Sequence, residues 1–216
     1  VVQKNVGLWS KGGLQVGDEI LISRSIGSGV IFAAAMNGVV HPKHLDNALL
    51  QLSQSQHLLL EKLRRSEAQN STNLPAIHAC TDVTGFGLLG HLGEMIEETN
   101  FDREKVALPP IKIKLFANSI PSLTGAKNLF KAGYESSLAP SNRSYLKLLN
   151  TKQNSSSSID LIDHNGQLDT EEILAIKQLI VDPQTCGPLV ISCEASFAKE
   201  LVKNSPWSSI GVVDSF

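Results

Sequence analysis

Cysteine is scarce in this chain: three among 216 residues, Cys80, Cys186 and Cys193. They are too few and too irregularly spaced for a disulfide framework or a zinc knuckle. They read as small buried thiols in a reducing, cytoplasmic compartment. Long apolar runs are missing too, since none approaches the ~20 residues that span a bilayer, and no membrane partner is expected. No charged leader precedes an apolar core and a cleavage site, so secretion is not indicated. Charge of one sign is also lacking. A net −2 offers no broad attraction for nucleic acid, and any polyanion must be held at a local site. There is no internal repeat. The opening "VVQKNVGLWSKGG" lacks a methionine and reads like the middle of a longer protein. Residues 1–16 are therefore expected to be the end of a linker from a missing N-terminal domain.

What remains is ordinary globular material. Apolar residues make up 42% and charged residues 19%, which argues against disorder and leaves room for one large domain or two small ones. "GDEILIS" (17–23) alternates as a strand and enters the turn Ile26-Gly27-Ser28-Gly29. A short helix is expected over Val30–Met36, ended by Gly38. One long amphipathic helix is expected from Pro42 to Arg65, with Leu45, Leu49, Leu52, Leu59 and Leu63 on a single stripe, followed by a polar loop from Arg64. Strands are expected over Leu74–Thr81 and Ile111–Leu115, and a helix runs from Leu88.

Further on, a short helix is expected around Ala126–Lys131, and "NTKQNSSSS" reads as a flexible insertion near 150–158. "DHNGQLD" carries an Asn-Gly pair, as in a hairpin. Asp169 or Thr170 caps a helix through Ile180, with Ile173, Ile176 and Ile180 inward. The chain closes with a strand, a helix and a strand. Strands and helices interleave, which predicts an α+β (mixed α/β) fold over 17–216, with helices packed mostly on one face of a mixed sheet. Parallel and antiparallel pairing both remain open.

One stretch points to chemistry. "ACTDVTGFGLLGHLGEM" (79–95) places Asp82 where a strand hands over to Thr84-Gly85-Phe86-Gly87 and then to a helix. Two close glycines let a ligand approach the main chain, and the following helix turns its free N–H groups toward the turn. A phosphate there meets those donors, with Thr84 and Gly85 as the candidate contacts, and Asp82 could hold the Mg²⁺ that accompanies it. Magnesium needs only one or two carboxylates, so a single aspartate suffices as this chain's share. The competing use of Asp82 is simply to cap the next helix.

Over Asp82–His91 the chain resembles, residue for residue, the Asp-Val-Thr-Gly-Phe-Gly-Leu-Leu-Gly-His signature of the selenophosphate synthetase (selenide, water dikinase) family. "GDEILISRSIGSG", "LAPSNRSY" and "VDPQTCGPLVIS" resemble further family stretches in the same order. The resemblance implies the C-terminal domain of that enzyme, within the aminoimidazole ribonucleotide synthetase-like superfamily. It implies a reaction in which ATP, selenide and water give selenophosphate, AMP and phosphate with Mg²⁺, in a homodimer whose N-terminal domains bind the nucleotide. It maps the family's metal-binding aspartate onto Asp82. The catalytic Cys or selenocysteine and its Lys belong to the N-terminal region, so no catalytic residue is expected here and the fragment alone should be inactive. Arg24-Ser25, Cys186 and Pro188 depart from the family pattern, and Pro188 lacks the N–H a phosphate contact would need, so a ligand role for 184–188 is not expected.

Other candidates have plainer explanations. His91 lies off the apolar stripe and reads as a surface or interdomain histidine. Cys186 has no base or cation in sequence to activate it and reads as a small turn residue. "SIGSG" lacks the ending of a phosphate-binding loop and reads as a packing turn. Asn142-Arg143 could touch an anion from a mobile loop. Two alternatives stay open: another ATP-dependent enzyme of the superfamily, such as an aminoimidazole ribonucleotide synthetase, or a non-catalytic binding or dimer-supporting module.

Overall fold

The computed structural model describes residues 8–69, 75–150 and 157–216. Six strands form one sheet: β1 (Glu19–Ile22), β2 (Ile77–Asp82), β3 (Ile111–Phe116), β4 (Ile159–Ile162), β5 (Leu189–Cys193) and β6 (Ser208–Ser215). Their order is β2-β5-β1-β6-β3-β4. All neighbours pair antiparallel except β3 and β4, which are parallel and joined by the long helical connection a parallel pair requires. The sheet is thus mixed, as expected.

Alternation along the strands sends side chains to two cores. Ile20, Ile22, Ala79, Val190 and Ile113 face the larger one, beneath helices α1 (Ser28–Met36), α4 (Gly87–Lys105), α5 (Ala126–Lys131) and α7 (Thr170–Val181). Leu21, Ile77 and Ile191 face a smaller core with Leu63 of α3 (His57–Ala68) and Phe197, Ala198 and Leu201 of α8 (Ala195–Asn204). Most helices do lie on one face, with α3 and α8 on the other. In α7, Asp169 forms a capping box with Glu172, so the predicted cap is present. Ile176 and Ile180 are buried, while Ile173 is only partly covered.

Three expectations change. The long helix over Pro42–Arg65 is two helices, α2 (Pro42–Ser53) and α3, broken at Gln54-Ser55-Gln56. Arg24 donates to the carbonyls of Gln51 and Gln54, which caps the end of α2, and Gln56 bonds Ser23 and Gly187. Of the leucine stripe only Leu63 is fully buried, and Leu49 is exposed. α3 also runs on to Ala68, through the start of the polar stretch expected as a loop. "DHNGQLD" does not close a hairpin: Asp163 accepts from the amides of Asn165 and Leu168, turning the chain from β4 into α7.

Residues 8–16 lie along the domain. Ser10 accepts from the Cys80 amide, Gly13 and Leu14 donate to Thr99, and Leu14 is buried. Most of the insertion expected near 150–158, and Leu74 at the start of its predicted strand, lie outside the described residues. No described helix is long and apolar enough to cross a membrane.

Candidate functional site

Asp82 is the last residue of β2 and pairs with Leu189 of β5. Its side chain is exposed, and among the described residues its carboxylate makes no hydrogen bond or ion pair. It does not cap α4: Phe86 holds that position, with no side-chain cap. The competing structural use of this acid is therefore not seen.

The turn after Asp82 is held from several sides. The Val83 amide donates to the Pro188 carbonyl at 2.8 Å, and Thr84 O accepts from the Gln184 amide at 3.0 Å. Asn142 Nδ2 donates to Gly85 O at 2.7 Å, and His91 Nε2 accepts from the Thr84 amide at 3.1 Å. The two glycines have different tasks. Gly87 has φ +70°, and a Cβ there would lie 2.8 Å from the Val181 backbone, so it is a packing glycine where α4 meets the end of α7. At Gly85 a Cβ would meet nothing within 4 Å. Open space lies over Gly85, and the Gly85 amide has no protein acceptor among the described residues.

Asp82 and Thr84 line a cleft of about 670 Å³ together with Arg24, Gln56, His57 and Cys186. Cys80 forms part of the wall. Burial, and after it the charge of Asp82, pushes its thiol up to about 11, so it stays protonated at neutral pH. Arg24 reaches across to the Cys186 carbonyl, and burial holds its guanidinium below the usual arginine range. Cys186 is exposed with φ 46°, a turn conformation. Among the described residues no group of three or more His, Cys, Asp or Glu side chains converges. Asp82 is the one carboxylate among the described residues that line this cleft.

The remaining sequence candidates serve structure. Gln184 Oε1 accepts from the amides of Gly27 and Ser28, and Asp182 accepts from that of Val30, so the glycine turn before α1 spends these donors on the 182–184 loop. It is a packing turn, as expected. Asn142 is buried and anchors Gly85 and Val181, while Arg143 pairs with Glu135. They belong to the short helix α6 (Ala139–Asn142) and the 3-10 turn after it, correcting the mobile-loop expectation. His91 is only 6% exposed, with Nδ1 on Glu94 Oε2 at 3.0 Å, so the surface reading is also corrected. Its helical spacing hid this, because a polar residue one position off the apolar stripe gives no sign that a turn folds back over it. Asp182 and Gln184 were missed as well; the run Asp-Pro-Gln before a glycine was the available signal.

The model of the family described as "AIR synthase related protein, C-terminal domain" matches residues 15–214. Selenide, water dikinase of Campylobacter jejuni (strain RM1221) is 29% identical over 191 residues, 88% of this chain and 44% of that enzyme. The enzyme of the same name from Desulfitobacterium hafniense (strain DSM 10664 / DCB-2) is 23% identical over 91% of this chain and 47% of its own length. The chain thus spans about half the length of the curated relatives it matches. Among solved structures, thiamine-monophosphate kinase from Stenotrophomonas maltophilia K279a superposes with a TM-score of 0.57 at 16% identity, over 100% of this chain and 52% of that one. Hydrogenase maturation protein HypE in complex with ATP gives 0.53 at 18% identity, over 95% and 45%. At these identities the two structures speak for the fold alone.

Proposed function

The chain belongs to the family of AIR synthase related protein C-terminal domains, and from that membership we propose that it is the C-terminal part of an ATP-dependent selenide, water dikinase. In this reading the parent enzyme converts ATP, selenide and water into selenophosphate, AMP and phosphate. Selenide is preferred to the substrates of other superfamily members because the curated relatives carry that name and the Asp82–His91 signature is of that type.

One observation carries the site: Asp82 is an exposed carboxylate without a partner among the described residues, at the mouth of a cleft and three residues before a glycine with open space above it. Such a group fits the share of a Mg²⁺ site that a single domain supplies, since this ion keeps water and phosphate oxygens in its other positions. When bound, the ion would neutralise phosphate charge. The protein's own part is to hold Asp82 at a fixed strand end, to leave Gly85 N–H open to a phosphate oxygen, and to close the turn from behind through His91, Asn142 and Gln184. Thr84 is a weaker phosphate contact than Gly85, because its amide and hydroxyl both lie 3.1 Å from His91 Nε2. The parent protein would work in the cytoplasm as a homodimer, with the nucleotide and the nucleophile on the part of the enzyme beyond this chain.

The test is an assay of the full-length protein by phosphorus NMR, with ATP and either selenide or the amidine precursor of aminoimidazole ribonucleotide. Selenophosphate is expected only with selenide, and Asp82→Ala should abolish ATP consumption while the domain stays folded. Turnover of the amidine precursor instead, or normal turnover by the variant, would overturn the proposal.

A further inference from the structure

His91 is built into the Asp82 corner by contacts at both ring nitrogens, the Thr84 hydroxyl as well as its amide lying 3.1 Å from Nε2. Nδ1 lies 3.0 Å from Glu94 Oε2, and Glu94 Oε2 lies 2.8 Å from Lys11 Nζ. A carboxylate can only accept, so Nδ1 carries the hydrogen. Nε2 faces the backbone N–H of Thr84 at 3.1 Å, and an amide can only donate, so Nε2 is bare. These partners match the Nδ1–H tautomer, and the ring is braced by Phe86 with ring centroids 5.7 Å apart.

Thr84 stands two residues after Asp82, and His91 is the acceptor for its amide. The turn's other ties go to the Thr84 and Gly85 carbonyls and the Val83 amide. We propose that His91 is a positioning residue: held in one tautomer by Glu94 and Lys11, it fixes the Thr84 peptide and so the direction in which Asp82 faces the cleft. This rests on Asp82 being a Mg²⁺ ligand. Lys11 belongs to the segment leading into β1, so the same contacts tie that segment to the metal corner.

The experiment compares His91→Asn, His91→Gln and Asp82→Ala. The Asn amide can reach the Nδ1 position and keep Glu94, but it offers nothing to Thr84. The Gln oxygen can reach the Nε2 position and accept from Thr84. In the full-length protein, the Mg²⁺ concentration for half-maximal ATP turnover should rise about tenfold or more in His91→Asn, the range seen when a partner that orients a metal ligand is lost, and stay near wild type in His91→Gln. In the 216-residue chain, long-range nitrogen NMR should show the Nδ1–H tautomer at His91. Hydrogen exchange at the Thr84 amide should quicken in His91→Asn and be restored in His91→Gln.

If Asp82→Ala leaves turnover normal, the metal reading fails and takes this proposal with it. If Asp82→Ala abolishes turnover while His91→Asn follows wild type in Mg²⁺ dependence and Thr84 exchange, the positioning role alone is overturned. An Nε2–H tautomer would also overturn it, and that measurement needs no variant to fold.

Discussion

Neutralising Asp182 should make the domain more stable at alkaline pH relative to the wild type. Asp182 is fully buried beside the start of α1, and burial pushes its carboxyl up from 3.8 to about 7, although the amides of Val30 and Gly29 and the Gln184 side chain pull the other way. A rise from 3.8 to about 7, at ~1.4 kcal/mol for each tenfold change in proton affinity, comes to ~4 kcal/mol as an order of magnitude. The unfolded chain releases this proton near 3.8 and the folded one only near 7. The favourable contribution of the protonated acid is therefore complete below the lower value, fades across the interval, and is absent above the upper one.

Asp182→Asn keeps the size of the side chain and removes the charge. Its amide oxygen can still accept from Val30 and Gln184, as Oδ2 does now at 3.3 and 3.1 Å. Urea unfolding of wild type and variant from about pH 4 to about pH 8 should show the variant's relative stability climbing by several kcal/mol, up to the ~4 kcal/mol limit. Taking the difference removes every other titrating group. Parallel pH profiles would refute the reasoning, because they would mean that Asp182 ionises as easily inside the fold as outside it.

Two further outcomes are expected. The hydrogen bond to Asp18, working against burial, raises the His78 imidazole above 6.5, so this pair's contribution is complete below that value and is lost as pH rises through the raised one. His78→Gln should therefore lower the urea midpoint more at about pH 5.5 than at about pH 9, and an equal loss at both would contradict this. At Gly187 a Cβ would lie 1.9 Å from the Val83 carbonyl, whereas at Gly38 φ is +69° with open space around it. Gly187→Ala should cost ~3 kcal/mol or more through forced backbone movement and Gly38→Ala only ~1–2 kcal/mol, and equal melting shifts would count against the close approach.

Local pattern carried much of this structure. Alternation in "IKIKL" and the spacing of Asp169 and Glu172 are signals written within a few residues, and both elements formed where expected. The break between α2 and α3 was illegible because its cause is distant: Arg24 and Gly187 hold Gln51, Gln54 and Gln56, while the leucine spacing runs on undisturbed and neither Gly nor Pro marks the gap. Strand order was unreadable for the same reason, since β1 sits between strands more than 160 residues later in the chain. At the site, Asp82 stood out because an acid, a strand end and two glycines are neighbours in sequence. The groups that support it, His91, Asn142 and Gln184, are polar residues on separate elements, and only the fold brings them to one turn.

The most direct test of the metal role follows Mn²⁺ in place of Mg²⁺. Electron paramagnetic resonance of free Mn²⁺, titrated into the full-length protein with a non-hydrolysable ATP analogue, counts bound ions and their affinities. Asp82→Asn should lose one of the bound ions or weaken it by about tenfold or more, as removal of a carboxylate ligand requires. Superimposable titrations of wild type and variant would contradict the account.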